Sequence, residues 1–443
     1  MKFFKYIEKY AAEQGTKPFL ITDGKEISYG DAAARIEKKS RLFAPAKGKV
    51  AGIRLGDAAE QLLTFLAAEK AGAVPLLIHE YIEGEELDRL LAERPIHFLY
   101  TGEEREGLAP AGDGHWFGKV RAEDFSRDCI AVLTSGTSGL SKILYRRQES
   151  WTDFFPIQNR LFGIDGDSRV YMQGSMAFTG NLNMAMAFLS EGSTLIITDR
   201  LFPKTWLAEM NRLQATHLYM IPSKLSPLSR VKGENRTVRH ILTGSQLMTA
   251  RLLTGLERVF PEAETVLYYG SSEMSYMSYI RGKEIREHPD SVGKPFPGIG
   301  ITVEDGWIRV DTPYGVEDLE RPFISGDKGR IDEDGNLHFL GRKEDFYNIK
   351  GNHVSRQKVL AHLLMAEGVE EAEILPHRGD DGEVRLTAYV AGTDLPDRAS
   401  LTRFLAQKLK SWEIPSRFIP VKEIPKTSTG KTDRKKLAAM GGK

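Results

Sequence analysis

Cysteine is almost missing from these 443 residues. The single Cys129 forbids an intramolecular disulfide and supplies no zinc cluster. An excess of one charge is missing as well, because 61 Lys and Arg balance 61 Asp and Glu. Binding nucleic acid by neutralising phosphates normally brings a basic surplus, so only a local patch would be left for it. No apolar run reaches the roughly 20 residues of a membrane span, and the run ending in Val74-Pro75-Leu76-Leu77-Ile78 stops well short. The ten histidines show no H-E-x-x-H spacing, and the chain has neither a short repeat nor a low-complexity tract.

What is present is the balance of a folded chain, 41% hydrophobic and 28% charged, long enough for two or three domains. Met1 to Tyr10 interrupts apolar residues with charges and reads as an amphipathic helix rather than a secretory leader. Its face of Phe3, Ile7, Tyr10 and Ala11 is expected to pack on the body, with a membrane-surface helix as the alternative; the expected compartment is cytoplasmic. Helical spacing over Asp31 to Phe43 and Ala58 to Ala71 alternates with strand-like runs at Val50 to Leu55 and Val74 to Ile78. Strand-like runs return at Thr194 to Thr198 and His217 to Ile221, a texture that predicts parallel sheets covered by helices. The last hundred residues differ, with turns at Gly335-Asn336 and Asp381-Gly382, a strand pair at Glu373 to Leu375 and Leu386 to Val390, and a helix at Leu401 to Leu409. This predicts a small α+β unit beyond a charged boundary at Gly341 to Asp345.

Four loops carry chemistry. In the first, the run ending in Val132-Leu133 leads into Thr134-Ser135-Gly136-Thr137-Ser138-Gly139-Leu140-Ser141-Lys142. Glycines let backbone N–H groups converge on an anion, hydroxyls add donors and Lys142 adds charge, which suits a polyphosphate. Walker A spacing cannot be laid on it, and a plain Ser/Gly turn is the alternative. In the second, Tyr268-Tyr269-Gly270-Ser271-Ser272-Glu273, Tyr269 would stack on a base, Ser272 would bond a phosphate and Glu273 would hold Mg²⁺. The alternative is an ordinary strand-to-helix turn capped by Ser272. In the third, Asp327 behind Gly326 suits the two hydroxyls of a ribose, with Arg342 in support; a turn and a surface ion pair would look the same. In the fourth, Pro425 to Arg434, the Gly430-Lys431 tip would deliver a charge to a distant site or form part of a solvated basic terminus.

Taken in order, these segments resemble the adenylate-forming (AMP-binding) superfamily of acyl-CoA synthetases, nonribosomal adenylation domains and luciferase. Thr134 to Ile143 is similar to T-S-G-T-T-G-x-P-K-G, with Ser138, Ser141 and Ile143 departing from it. Tyr269 to Glu273 is similar to Y-G-x-T-E with Ser272 for Thr, and Ser325 to Asp327 is similar to T-G-D. Gly341 to Gly351 is similar to G-R-x-D-D-x-I-N-x-x-G with Glu344 for the first Asp, and Pro425 to Leu437 to P-x-T-x-x-G-K-x-x-R-x-x-L. Gly244-Ser245 resembles the adenine-side loop. The likeness runs over nearly the whole chain, which is shorter than most members between about Arg94 and Cys129.

The resemblance implies a large multi-layer α/β N-terminal domain over 1–341, a hinge at 342–346 and a small mobile α+β lid over 347–443. It implies ATP, Mg²⁺ and CoA, and an acid activated as acyl-AMP before transfer to a thiol. Lys431, Glu273 and Ser272 would be the catalytic residues, with Glu273 on the metal. Thr134, Ser135, Gly136, Thr137, Ser138, Gly139, Lys142, Gly244, Ser245, Tyr269, Gly270, Asp327 and Arg342 would hold the nucleotide. Glu344 would be the hinge residue, and Asn348 and Gly351 would line the pantetheine path after lid rotation.

Phe178, Thr179 and Gly180 match the entrance of the acyl pocket. Thr179 stands where amino-acid activators carry Asp, which disfavours an α-amino acid, and Phe178 stands where many CoA ligases carry His. Met184, Met186, Phe188, Tyr276, Met277 and Tyr279 would line an acyl tunnel or simply form core. An apolar or fatty acid is expected, with aryl acids open. The leading reading is an acyl-CoA ligase. The alternatives are a ligase that loads an acyl carrier protein, a non-catalytic nucleotide or acyl binder, and more remotely a kinase releasing ADP.

Overall fold

The computed structural model describes residues 1–122, 126–134, 141–246, 248–288, 290–349, 351–379, 382–426 and 432–440, with the backbone alone for Glu344. Among these, thirteen strands join in one sheet and seven in a second. The centre of the larger sheet is parallel: Pro18–Thr22, Thr194–Thr198, Arg169–Gln173, His217–Tyr219, His240–Gly244 and Glu264–Ser271 run side by side. Strands such as Thr-Leu-Ile-Ile-Thr at 194–198 are buried on both faces, as a covered parallel sheet requires. Beyond Glu264–Ser271 the sheet turns antiparallel through Ser275–Arg281, Ser291–Pro295, Leu337–Arg342 and Phe323–Ile331. In the second sheet Val50–Arg54, Val74–Ile78 and Phe98–Thr101 are parallel, and Ile130–Thr134 with Lys142–Arg146 forms a hairpin at one edge.

Two helices are apolar almost all round and lie at the heart of the layers. Ala58–Lys70 begins at Asp57, whose side chain accepts the Glu60 N–H, and touches strands of both sheets. Thr179–Ser190 is buried from Leu182 to Leu189. The N-terminal helix Phe4–Gln14 buries Phe4, Ile7 and Tyr10, with Phe3 beside them and Ala11 half-buried, so the expected face is the packed one. No described helix is long and apolar enough to cross a membrane.

After Leu337–Arg342 a short 3₁₀ turn, Lys343–Asp345, leads to the hairpin Phe346–Ile349 and Asn352–Ser355. A three-stranded sheet of Glu371–Arg378, Val384–Ala391 and Arg417–Pro420 follows, packed by Arg356–Leu363 and Arg398–Ala406. This unit has its own core, including Val354, Val359, Ile374, Ala388 and Leu405. The helix expected over 401–409 starts one turn earlier, because Asp397 accepts the Ser400 N–H and caps it. The strand pair expected around Glu373 and Leu386 forms the hairpin core, and Asp381 of its turn lies outside the described residues.

Candidate active site

The parallel strands of the large sheet end on one edge, the place where open α/β sheets bind ligands. His240–Gly244 and Glu264–Ser271 pair in register there, with Gly244 beside Tyr268. A Cβ on Gly244 would stand 2.6 Å from the Tyr268 ring, so glycine lets the two strands' tips close up. Ser245 follows with φ +67° and is exposed, while Gln246 Oε1 accepts the Ser223 N–H at 3.1 Å and braces the turn.

Tyr269, next on the strand, is half-buried and donates its hydroxyl to Asp327 Oδ2. Arg342 Nε donates to Asp327 Oδ1 at 3.2 Å, because Asp327 and Arg342 are direct partners in the antiparallel pair. Ser325 Oγ accepts the Asp327 N–H at 3.1 Å and fixes the carboxylate's backbone. Burial, reinforced by Asp327, holds the Tyr269 hydroxyl well above the usual tyrosine range, so it stays a donor.

The strand does not lead into a helix, as the Ser272 cap alternative expected. It turns at Ser271-Ser272-Glu273 and returns as Ser275–Arg281. The reason is the alternating Ser275-Tyr276-Met277-Ser278-Tyr279-Ile280, which suits a strand rather than a helix. Ser272 Oγ donates to Thr179 Oγ1 at 3.2 Å, so the turn meets the start of the helix Thr179–Ser190. A Cβ on Gly180 would stand 2.6 Å from Tyr219 Oη, which pairs with Tyr268 Oη at 2.7 Å. Phe178, 37% exposed, packs against the His79 ring with centroids 4.5 Å apart. Burial lowers His79 to about 4, which leaves that imidazole neutral at ordinary pH. Thus Phe178, Thr179, Gly180, Ser272, Gly270, Tyr269, Asp327, Arg342, Gly244 and Ser245 gather along one edge. Met184, Met186, Phe188, Tyr276 and Met277 are fully packed core, and Tyr279 is half-buried on the Phe296 ring.

Glu273 projects from the same turn, and among the described residues its carboxylate has no hydrogen-bond or ion-pair partner. One such carboxylate fits Mg²⁺ that arrives with phosphates, the cation's usual manner of binding. The described residues contain no cluster of three metal-ligating side chains. The Asp327 carboxylate takes Tyr269 on one oxygen and Arg342 on the other, which fixes its orientation at the strand edge.

Thr134 and Lys142 face each other across the hairpin of the second sheet, with Lys142 exposed and the Ser141 carbonyl accepting from Arg94 Nε at 2.9 Å. The expected phosphate residues Ser135, Gly136, Thr137, Ser138 and Gly139 lie outside the described residues, as do Lys431 and the Glu344 side chain. Asn348 and Gly351 sit on an exposed hairpin tip, where Asn348 Oδ1 accepts the Gly351 N–H at 2.9 Å. No hydrogen bond or ion pair among the described residues joins that tip to the Tyr269–Glu273 turn.

The sequence reading missed Arg146. It is fully buried, and its fork donates to the carbonyls of Tyr314 at 2.7 Å, Ser272 at 2.9 Å and Glu273 at 3.3 Å, and to Ser150 Oγ at 2.9 Å. Burial lowers it to about 9, against the pull of Glu273. Its sole signal was a charge inside the apolar run Ile143-Leu144-Tyr145-Arg146, which any edge strand could carry.

A family model described as AMP-binding enzyme matches residues 7–317. A Staphylococcus epidermidis protein named putative long chain fatty acid-CoA ligase VraA is 22% identical, over 98% of each chain. A Bacillus subtilis protein named uncharacterized acyl-CoA ligase YhfT is 25% identical, over 69% of this chain and 67% of its own. Among solved structures, o-succinylbenzoate CoA synthetase (MenE) from Bacillus subtilis superimposes with TM-score 0.82 at 19% identity, covering 98% of this chain and 97% of its own. MatB from Rhodopseudomonas palustris superimposes with TM-score 0.83 at 20% identity, covering 99% and 98%. At such identity these two likenesses speak for the fold.

Proposed function

Because the chain belongs to the AMP-binding enzyme family, we propose that it activates a carboxylic acid with ATP as acyl-AMP, releases pyrophosphate and passes the acyl group to the thiol of CoA. The observation that carries this reading is the meeting of Tyr269 and Arg342 on Asp327, one turn of chain from the Ser272–Thr179 contact. A nucleotide ribose held at Asp327 then lies near an acid entering past Phe178 and Thr179.

Two anions must approach one another in the first step. Mg²⁺ bound with ATP supplies charge neutralisation on the phosphates, and Glu273 would hold it. Lys431 would bridge the acid carboxylate and the α-phosphate, and removing one such preorganised charge costs roughly 3–4 kcal/mol. Thr134, Lys142 and the loop between them would receive the leaving pyrophosphate. Arg146 holds the Ser272 and Glu273 carbonyls, and with them the turn that presents both side chains.

For the second step the unit beyond 342–346 would rotate about Glu344, withdrawing Lys431 and bringing Asn348 and Gly351 to the site. Gly351 has φ +81° on an exposed tip, which a glycine adopts without strain and which leaves space for a pantetheine arm. The name of the staphylococcal relative favours an acid that is largely apolar.

The deciding measurement is pyrophosphate release with ATP, Mg²⁺ and a panel of carboxylic acids, with and without CoA. Acid-dependent release that CoA accelerates supports the reading in full. Release that ignores CoA moves the acceptor to a carrier-protein pantetheine. ATP binding without release by any acid defeats the assignment.

A further inference from the structure

Glu370, on the small unit, lies between two arginines of the large one. Its carboxylate meets Arg230 at 2.7 Å and Arg251 at 3.3 Å, and Thr393 Oγ1 of its own unit donates to it at 2.9 Å. Among the described residues the large unit offers neither arginine a carboxylate. Arg230 otherwise donates to Ser226 Oγ at 3.3 Å, and Arg251 to the Val369 carbonyl of the small unit at 3.4 Å. Two guanidinium groups that converge on one anion repel each other once it leaves, so the large unit alone presents a site in need of an anion.

The surface around the pair carries the same sign. Arg251 stands in the first turn of the helix Ala250–Val259, where the helix dipole also favours an anion, and Arg258 follows seven residues later on the same face. Arg258 donates to the Ser229 carbonyl at 2.8 Å. A Cβ on Gly255 would stand 2.9 Å from Ser229 Cβ, so glycine lets the helix press against the segment that carries Arg230. Next to Arg230, an open cleft of about 340 Å³ is lined by Val231, Lys232, Gly233, Glu234 and Arg258. Glu234 is the one carboxylate of that lining and pairs with Arg236 at 2.9 Å, which leaves Lys232 and Arg258 to set the cleft's charge.

We propose that Arg230 and Arg251, with Lys232 and Arg258 beside them, form a phosphate-binding site on the large unit. The carboxylate of Glu370 fills it in the present orientation, and a phosphate-bearing ligand takes it once the small unit turns away. Planar guanidinium forks match phosphate oxygens as they match a carboxylate, and a multiply charged phosphate answers four cations better than one carboxylate does. The exchange links anion binding to lid position, because a ligand on the bared arginines favours the orientation from which Glu370 has gone. Free pyrophosphate and the phosphates of CoA both carry this chemistry. The turning of the small unit rests on the acid-activating reading above; the anion site itself does not.

The test is calorimetric titration at low salt, with the nucleotide site filled by AMP. It compares wild type, Glu370→Gln, and Glu370→Gln combined with Arg230→Gln and Arg251→Gln. The probes are inorganic pyrophosphate, CoA and CoA lacking its 3′-phosphate. Glu370→Gln should bind at least one probe about 2- to 30-fold more tightly than wild type, because the internal competitor is gone. The two arginine substitutions should remove that gain. A gain for CoA that vanishes without the 3′-phosphate puts that phosphate on the arginines, whereas a gain shared with pyrophosphate assigns the site to a diphosphate. No gain with any probe, or a gain that survives the loss of both arginines, overturns the assignment. Absence of pyrophosphate release from every acid would defeat the acid-activating reading and leave these affinities to decide the site.

Discussion

Tyr269 donates its hydroxyl to Asp327 from 58 positions away in the sequence. One residue closes the parallel half of the large sheet, and the other stands on an antiparallel strand near its far end. Arg342 holds the second carboxylate oxygen at 3.2 Å, so the carboxylate is oriented before any ligand arrives. A hydrogen bond to a charged group is worth about 1.5–3 kcal/mol. Asp327→Ala should therefore raise the ATP KM and the AMP dissociation constant by about 10- to 100-fold, with a smaller rise for Tyr269→Phe. Calorimetric titration with AMP checks this, and unchanged affinity in Asp327→Ala would remove the ribose role.

Arg146 should matter to folding and to the site together. Its loss removes a donor from the Ser272 and Tyr314 carbonyls, while the Glu273 carbonyl keeps the Val316 N–H at 2.8 Å. Buried groups left unpaired cost about 1–3 kcal/mol each, so Arg146→Met should destabilise the protein by several kcal/mol. Arg146→Lys cannot reproduce the planar fork and should fold with a lower melting temperature and a lower kcat. Thermal melts and initial rates measure both, and wild-type behaviour of the lysine variant would refute this positioning role.

The contrast between these two sites explains what could be read in the sequence. Tyr269, Ser272, Glu273, Asp327 and Arg342 could be singled out as candidates because each stands in a short segment whose residue types suit the chemistry, and the structure brings Tyr269 and Arg342 onto Asp327. The helix Ala58–Lys70 and the strand Thr194–Thr198 were legible because their apolar runs have the right length. Arg146 was not, because whether an arginine is buried is decided by the strands and turns around it. The contact of Ser272 with Thr179 joins residues 93 positions apart, and no local pattern reports such a distance. The Ser-Ser-Glu turn looked able to cap a helix, and the pairing of the next strand decided otherwise.

Glu69 gives the protein a pH dependence away from the site. Buried in the helix Ala58–Lys70, it accepts the backbone N–H groups of Phe3 at 3.1 Å and Phe4 at 2.9 Å, fastening the N-terminal helix. Burial pushes its carboxyl from 4.5 up to about 7, against those hydrogen bonds. The folded chain thus holds a proton that the unfolded chain has released. The contribution to stability is fully present below pH 4.5 and is lost as the pH rises towards 7, a fall on the order of 3 kcal/mol. Urea unfolding across that window should show the slope in wild type and a flatter profile in Glu69→Gln. Equal slopes would remove Glu69 as its source.

The two half-reactions should separate by variant. Lys431→Ala should lose adenylate formation by about 10²–10³-fold while still converting supplied acyl-AMP and CoA to thioester. Gly351→Leu should do the reverse. Its tip is open, with nothing within 4 Å of an added Cβ, so the folding cost is confined to a left-handed backbone, about 1–2 kcal/mol. Equal losses in both half-reactions for Lys431→Ala, or normal CoA turnover in Gly351→Leu, would contradict these roles.

Any rotation of the small unit that moves Glu370 away from the large one must break a pair of salt bridges. Glu370 pairs with Arg230 at 2.7 Å and Arg251 at 3.3 Å, and Arg251 also donates to the Val369 carbonyl at 3.4 Å. Burial works against the charge on Glu370, but Thr393 and the two arginines keep its carboxyl below the usual range, so it stays ionised. Pairs in which one partner is half-exposed, as both arginines are here, are worth about 0.2–1 kcal/mol each. Losing both should therefore shift the balance between two lid orientations by a factor of about 2–30. If the tip at Asn348 and Gly351 enters the site only in the second step, as proposed, this arrangement with the tip exposed would favour the first half-reaction. Glu370→Gln should slow adenylate formation modestly and speed thioester formation from supplied acyl-AMP. Added salt should move wild type the same way, since exposed pairs are screened. The paired reversal Glu370→Arg with Arg251→Glu should restore part of the wild-type balance. Rapid-quench measurement of each half-reaction decides the matter: if Glu370→Gln leaves their ratio unchanged at low salt, the contact does not govern the lid.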